Sequence, residues 1–376
     1  MSEWKEYRLK DLSNGNGIYG IAAPAVPKDD NKYTYLRITD INDDGSLNTS
    51  DLKSVDDPNA NRYLLNPNDI VFARTGNSTG RTYFYDGSAG ELVFAGFLIK
   101  FSLDSHKVNP KILKYYTHSK DYYDWVASFD SGATRGNINA KTYAEMPIKL
   151  PPRNIQDRIV SILTSLDEKI ETNRKINTRL EELAQALFKS WFIDFEPFGG
   201  KMPEDWNQKP IDTVYQIRYG NGLSKSQFIN NGYPVYGANG IIGYIDRPNI
   251  NQKVVLITSR GNGSGDVSYT HDDEAFITNN SFIVKPNHDY VYLGLPYIYQ
   301  SFKKLDFKGL CSGSAQPQLT NSAISSLSVI VPNKDVIDEF TRITNPLYNL
   351  IFPRLKESSR LAALRDTLLP KLMSGE

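Results

Sequence analysis

The side chains that could do chemistry in this chain are few and scattered. Two glycine-rich stretches, RTGNSTG (74–80) and RGNGSGD (260–266), could surround a phosphate, yet neither matches GxxxxGK(S/T) or opens a clear helix. The single cysteine, Cys311, has no disulfide partner, and the four histidines show no metal-ligand spacing. We therefore interpret both stretches as hairpin turns and predict no catalytic residue, no metal site and no cofactor. The histidines are His106, His118, His271 and His288.

The bulk composition favours a multidomain protein of the cytoplasm. The chain has 376 residues, with 43 Lys and Arg against 43 Asp and Glu, so its formal net charge is zero. This length predicts two or more domains. No apolar run approaches the length of a membrane span, and no hydrophobic leader precedes the first polar residues. We therefore predict a cytoplasmic location.

The most distinctive structural element that the sequence predicts is one long helix. The segment from Asn154 to Asp194 contains neither glycine nor proline, and Leu166, Leu180 and Leu187 fall on a seven-residue repeat. This heptad pattern predicts a long helix whose apolar seam needs a second helix as partner. A second helix with the same pattern follows near the end of the chain, where Pro346 and Pro353 predict a kink or a split. We predict a seam at Leu166, Asn173, Ile176, Leu180, Leu183 and Leu187 in the first helix, and at Leu347, Arg354, Leu361, Leu364 and Leu368 in the second.

The pairing of these helices follows from an internal repeat. Setting Gly132 against Gly313 aligns a polar loop, a short strand and the long helix without a gap, and places Pro151 on Pro332. Such self-similarity indicates two copies of one structural unit. Each copy begins near a tryptophan, Trp4 or Trp206, continues through a globular part and ends in a long helix.

The predicted fold class is α/β (α+β), with two similar globular domains and two long antiparallel coiled-coil helices related by a pseudo-twofold repeat. Short strands bounded by Gly, Asn and Asp alternate with candidate helices at 108–129 and 290–305. The predicted boundaries are 1–153 for the first domain, 154–197 for the first long helix with the start of its linker, 198–332 for the second domain and 333–376 for the last helix.

This arrangement resembles the specificity subunits of type I restriction–modification systems over essentially the entire chain. The local matches are RTGNSTGR, ELAQALFKSWFIDFEPF and the ending RLAALRDTLLPKLMSGE. The resemblance implies two target-recognition domains that each read half of a split site in double-stranded DNA. It also implies helices that carry two methyltransferase subunits and, through them, the restriction subunits. Neither a glycine-rich cofactor loop nor an (N/D)PP(Y/F) motif of an adenine methyltransferase is present, so the chain is expected to be non-catalytic.

The candidate DNA-contacting residues lie in two loops of each domain. Arg74 and Arg260 each open a glycine-rich loop, and we take these two positions to be equivalent. In each copy a second polar loop precedes the short strand that leads into the long helix. Arginine can bind guanine, and Asn or Gln can bind adenine, through two hydrogen bonds. The same residues could instead be hydrogen-bonded turn residues that shape the domain. The candidates are Arg74, Thr75, Asn77, Arg81, Thr134, Arg135, Asn137 and Lys141 in the first domain, and Ser259, Arg260, Asn262, Gln316, Gln318 and Asn321 in the second.

Two other functions remain open from the residues alone. The chain could be a helical scaffold or adaptor whose globular ends bind protein or glycan partners, or an enzyme with an unrecognised site in its Tyr-rich domains. On the first long helix, Phe188, Trp191 and Phe192 could belong to the core or to a partner-binding surface, and we expect a share of them to face a partner.

Overall fold

The computed structural model describes residues 4–129, 136–238, 240–261, 263–313 and 316–375. The strands are β1 (Lys5–Arg8), β2 (Ile18–Tyr19), β3 (Ala25–Val26), β4 (Thr34–Leu36), β5 (Lys53–Val55), β6 (Asp69–Ala73), β7 (Thr82–Tyr85), β8 (Leu92–Phe94), β9 (Leu98–Ser102), β10 (Pro147–Leu150), β11 (Asn207–Pro210), β12 (Tyr215–Tyr219), β13 (Tyr233–Gly237), β14 (Gly240–Ile245), β15 (Val255–Thr258), β16 (Val267–Tyr269), β17 (Phe276–Ile277), β18 (Ser281–Pro286) and β19 (Ser328–Val331). The helices are α1 (Pro110–Tyr116), α2 (Lys120–Ala127), α3 (Ala140–Ala144), α4 (Arg153–Phe192), α5 (Ile211–Val214), α6 (Leu295–Phe302), α7 (Asn321–Ile324) and α8 (Lys334–Ser374).

The chain forms two compact units, each containing part of both long helices. Unit 1 consists of Met1–Lys169 with Leu361–Glu376, and unit 2 of Ile170–Arg360. No helix in the described ranges is long and apolar enough to cross a membrane.

The sheets of the two units have the same plan. In unit 1 a four-stranded sheet has the order β2-β9-β6-β7, and in unit 2 the corresponding order is β12-β18-β15-β16. A second sheet in each unit contains one parallel pair, β4 with β8 in unit 1 and β13 with β17 in unit 2. The entering strand of each unit pairs with the strand before a long helix, as β1 with β10 and β11 with β19. This matched topology confirms the predicted α/β internal repeat.

Gly20 and Gly220 are equivalent residues, because each lies very close to the backbone of a neighbouring segment. A Cβ atom added to Gly20 would lie 2.3 Å from the carbonyl oxygens of Phe94 and Ala95. A Cβ atom added to Gly220 would lie 2.3 Å from the carbonyl oxygens of Ile277 and Thr278. Since no side chain fits at these distances, both units require glycine directly after β2 or β12.

The helix predicted over 108–129 is two helices. Ser119 accepts a hydrogen bond from the backbone of Tyr122 as the N-cap of α2, while the Thr117 hydroxyl contacts that of Thr82 at 2.8 Å. Thr117 ends α1 and Ser119 caps the start of α2, so the chain breaks between them instead of continuing as one helix. The helix predicted over 290–305 is the shorter α6.

The long helices run antiparallel where they meet within unit 2. Asn173 of α4 donates to Glu357 at 2.8 Å, and Asn177, one turn later, is 3.5 Å from the carbonyl oxygen of Ile351. The partner's number falls as the α4 number rises, which defines the antiparallel direction. In unit 1, Asp167 of α4 likewise contacts Arg365 of α8 at 3.1 Å.

The predicted seam needs correction at several positions. Ile176 and Leu183 are 37% and 49% exposed, whereas their neighbours Asn177 and Ala184 are buried. The seam takes the polar and the small residue because Asn177 has a partner across the interface and Ala184 allows close packing. The other corrected position lies on α8, where Leu364 is 46% exposed. Positions where the structure buries or half-buries a predicted seam residue are Leu166, Asn173, Leu180, Leu187, Leu347, Arg354, Leu361 and Leu368.

The second helix is not split at its prolines. The helix α8 is continuous from Lys334 to Ser374, and both Pro346 and Pro353 are exposed. A proline removes the hydrogen bond to the carbonyl four residues earlier, here those of Arg342 and Asn349, which are also exposed. Water can therefore bind the carbonyls that lose a backbone partner, and the helix persists.

The aromatic residues of α4 belong mainly to the core of unit 2 and not to a partner-binding surface. Phe188 and Phe192 are buried, and Trp191 is half-buried. The Phe192 ring lies 5.5 Å from that of Trp206 and 5.0 Å from that of Phe340, measured between centroids. This cluster packs α4 against α8 and the linker that follows α4.

We predict that Phe188→Ala destabilises unit 2 by about 3–5 kcal/mol, because it removes a buried ring and leaves a cavity. The matched variant Leu183→Ala lies on the exposed face of the same helix and should change stability by no more than about 0.5 kcal/mol. Guanidinium unfolding followed by tryptophan fluorescence measures both, since Trp191 and Trp206 lie in this cluster. Equal losses for the two variants would mean that the seam has been assigned to the wrong face.

Candidate nucleic-acid interface

Each unit presents two loops that meet at the end of a central strand. The first loop comprises residues 74–81 after β6 in unit 1 and residues 259–266 after β15 in unit 2. The second loop comprises residues 136–141 and 316–321, directly before and into α3 and α7. Thr134, Arg135 and Asn262, which belong to the predicted set, lie outside the described residues.

An equivalent backbone hydrogen bond joins the two loops in each unit. The N–H of Ile138 donates to the carbonyl of Arg74 at 3.0 Å, and the N–H of Leu319 donates to that of Ser259 at 2.9 Å. A side-chain hydroxyl makes a second link. Thr79 donates to the carbonyl of Gly136 at 2.9 Å in unit 1. In unit 2, Ser264 donates to the carbonyl of Pro317 at 2.7 Å.

These contacts correct the predicted equivalence of Arg74 and Arg260. Because Arg74 and Ser259 accept the matching hydrogen bond, they are the equivalent pair, and Arg260 corresponds to Thr75. The turns agree with this register, since Gly80 donates to the carbonyl of Ala73 and Gly265 to that of Thr258. The two arginines therefore occupy neighbouring, not identical, places in the repeated loop.

In unit 1, two buried tyrosines hold the ends of the first loop. The hydroxyl of Tyr143 donates to the carbonyl of Ala73 at 3.0 Å, and that of Tyr122 donates to the carbonyl of Gly80 at 2.6 Å. Burial raises the pKa of each hydroxyl well above the ordinary value for tyrosine, so both hydroxyls stay protonated and able to donate. The loop is thereby fixed from beneath while its outer side chains face solvent.

Several predicted residues remain available for a ligand. Asn77, Asn137 and Lys141 are exposed in unit 1, and Thr75 is half-buried. In unit 2 the exposed residues are Arg260, Gln316 and Asn321, with Gln318 half-buried. A depression of ≈ 380 Å³ lies at the two loops of unit 2 and is lined by Arg260, Asn280, Gln316 and Gln318 together with Ala238, Gly261 and Pro317.

Two predicted contacts are structural instead. Ser259 is fully buried and its hydroxyl donates to the carbonyl of Asn279 at 3.2 Å, so it cannot reach a ligand. Arg81 pairs with Asp43 at 2.6 Å and donates to the carbonyl of Ile41 at 3.2 Å. Its guanidinium ties the first loop to a neighbouring turn, which matches the alternative that these residues shape the domain.

The sequence did not single out three residues at the edge of these loops. Tyr19, Phe97 and Asn280 come from distant segments, and each lies beside the first loop of its unit. The sequence held a signal for Tyr19, because the pair Tyr-Gly occurs at 19–20 and again at 219–220 and marks the same close backbone approach in both units.

The side chains of this surface can donate and accept hydrogen bonds. The surface offers guanidinium, amide and hydroxyl groups, and no group of three or more His, Cys, Asp or Glu that could hold a metal occurs in the described part of the chain. Partial burial, followed by the carboxylates of Asp266 and Asp306, raises the pKa of the Cys311 thiol. A thiol with a raised pKa is a poor nucleophile at neutral pH.

We predict that Gly265→Ala destabilises unit 2 more than Gly261→Ala does. Both glycines have positive φ, +87° and +90°, so each alanine carries a similar backbone cost of about 1–2 kcal/mol. Only at Gly265 would the added Cβ meet backbone, 2.8 Å from the nitrogen of Lys308, whereas Gly261 faces open space. Thermal unfolding measures the difference, and an equal shift in Tm for both variants would contradict this packing.

Comparison with known proteins agrees with the geometry. The family model described as "Type I restriction modification DNA specificity domain" matches residues 1–182 and 203–350. The type I restriction enzyme HindI specificity subunit of Haemophilus influenzae is 24% identical in an alignment covering 100% of both chains. The type I restriction enzyme MjaIX specificity subunit of Methanocaldococcus jannaschii is 24% identical over 70% of this chain and 68% of its own length.

A solved structure has the same fold. The crystal structure of the S subunit of a type I restriction–modification system from M. genitalium aligns over 99% of this chain and 96% of that chain, with a TM-score of 0.59 and 20% identity. Because the family model matches well over half of the residues, in two segments that follow the internal repeat, the chain belongs to the family of type I restriction–modification DNA specificity domains.

Proposed function

We propose that each unit of this type I specificity subunit reads one half of a bipartite site in double-stranded DNA through its first and second loops. The observation that carries the proposal is the repeated pair of loops, joined by the same hydrogen bonds but carrying different side chains. A constant backbone with variable side chains is suited to reading two different short sequences with one architecture.

The residues available at these loops are of the types that recognise base edges. Arg74 and Arg260 can each form two hydrogen bonds with guanine, and Gln316 and Gln318 can do the same with adenine. Exposed Lys141 can contact a phosphate, a contact that positions the protein without reading sequence. The zero net charge of the chain indicates that other subunits of the assembly supply much of the phosphate contact.

The chain is a non-catalytic subunit of a larger assembly. Its partners are double-stranded DNA, two methyltransferase subunits and, through these, restriction subunits. We assign the first recognition domain to residues 1–153 and the second to 198–332, with the helical segments 154–197 and 333–376 as the surface for methyltransferase subunits. A subunit that reads the DNA of a prokaryotic cell acts in the cytoplasm.

The exposed apolar residues of the long helices support this assignment of the helical segments. In unit 2, Ile176, Leu183 and Leu350 are 37%, 49% and 47% exposed. They do not pack into the seam, although they lie on helices that already have a partner. Large apolar side chains on an exposed helical face are suited to a protein interface.

We predict that replacing residues 1–150 with the corresponding domain of a relative changes one half-site only. The two recognition units have separate hydrophobic cores, so each should keep its own loops when the other is exchanged. The measurement is methylome sequencing of cells that carry the hybrid with its methyltransferase subunit.

The matched control exchanges residues 198–332 and should change only the other half-site. The unmodified chain with the same methyltransferase defines the starting site. If either exchange altered both half-sites, the units would not read DNA independently and the proposal would have to be abandoned.

A further inference from the structure

Unit 1 holds a guanidinium between two exposed aromatic rings. The Cζ atom of Arg74 lies 5.2 Å from the ring centroid of Tyr19 and 5.9 Å from that of Phe97. The two aromatic residues are 41% and 54% exposed. Phenylalanine is usually buried and tyrosine often partly so, and aromatic side chains exposed together beside a candidate binding loop indicate an interaction surface.

Backbone contacts fix this arrangement in place. The hydroxyl of Tyr19 accepts a hydrogen bond from the N–H of Ala140 at 3.0 Å. The carbonyl of Phe97 accepts from the N–H of Arg74 at 3.1 Å, and the carbonyl of Arg74 accepts from Ile138. Four separate segments of the chain therefore meet here: the bond to Ala140 holds the Tyr19 ring, and the backbone bond to Arg74 places Phe97 beside that arginine.

Arg74 is half-buried, and no carboxylate within the described ranges pairs with it. Its Nε atom is buried without a hydrogen-bond partner, so a ligand would be bound by the terminal N–H groups of the guanidinium. Arg81, in the same loop, is by contrast occupied by Asp43. A guanidinium stacked on aromatic faces is already ordered, so it loses little conformational entropy when its remaining N–H groups bind an acceptor.

The equivalent surface of unit 2 has different chemistry. The position of Arg74 is taken by the buried Ser259, and that of Phe97 by the exposed Asn280, whose carbonyl accepts from the N–H of Ser259 at 2.8 Å. Asn280 lines the depression with Arg260 and the amides of Gln316 and Gln318. An apolar ring beside the reading arginine is therefore a feature of unit 1.

We propose that Phe97 is a specificity-determining residue that contacts the C5 methyl group of a thymine, next to a guanine bound by Arg74. This inference rests on the proposed function and names the bases that unit 1 recognises. In the major groove, thymine is the base that presents a methyl group, and apolar side chains such as phenylalanine contact it, while arginine binds the O6 and N7 atoms of guanine. The guanidinium lies over the Phe97 ring, so the two groups are close enough to reach neighbouring base pairs, which are stacked about 3.4 Å apart.

Replacing single thymines by uracil tests this inference, since the exchange removes only the methyl group. The half-site of unit 1 is first located by the domain exchange, and the complete chain with its methyltransferase subunits is then titrated with duplexes that carry one uracil each. Uracil at one position beside a guanine should raise the Kd about fourfold, the effect expected for one methyl group. In Phe97→Ala, which should bind the thymine duplex more weakly, the same uracil should have no effect.

Two controls separate the outcomes. Asn280→Ala should leave the uracil effect in the unit 1 half-site unchanged, and melting curves should show that Phe97→Ala is folded. The inference is overturned if the uracil effect persists in Phe97→Ala, if no single uracil raises the Kd, or if the half-site holds no thymine beside a guanine. Failure of the proposed function has a different signature, because the unmodified complex would then not distinguish its cognate duplex from a scrambled one.

Discussion

The proposed recognition surface of each unit depends on one hydrogen bond between distant parts of the chain. The residue after a central strand, Arg74 or Ser259, accepts from Ile138 or Leu319, which lies two residues before a short helix. Both donors are buried apolar residues, so the bond lies at the edge of a hydrophobic core and excludes water. It brings two polar loops side by side on a backbone that does not depend on their exposed side chains.

In the proposed function, this separation of backbone from side chain lets one architecture recognise two different half-sites. The glycines that permit the turn, Gly80 and Gly265, are the same in both units, whereas the exposed groups differ. Unit 1 offers an arginine between aromatic rings, and unit 2 offers an arginine with amides around a depression. The long helices contribute their buried seam, which stabilises each unit, while Ile176, Leu183 and Leu350 stay exposed and form the proposed surface for partner subunits.

The internal repeat and the long helices could be predicted from the sequence. The residues that form the helix seam, and the exact alignment of the two loops, could not. Freedom from glycine and proline with a heptad pattern predicts a helix, yet it cannot say that Asn177 is buried while Leu183 is exposed, because that depends on a partner across the seam. Matching Arg74 to Arg260 by residue type was wrong by one position, since equivalence follows the backbone hydrogen bonds. Phe97 was missed because the fold, and not sequence proximity, places it beside Arg74.

The most direct test of the account is a structure of the chain with its methyltransferase subunits on the cognate duplex. The account predicts that the first and second loops of both units lie in the major groove at two separated half-sites, with Arg74 and Arg260 within hydrogen-bond distance of base edges. A complex in which either pair of loops faced solvent while DNA bound another surface of that unit would contradict it.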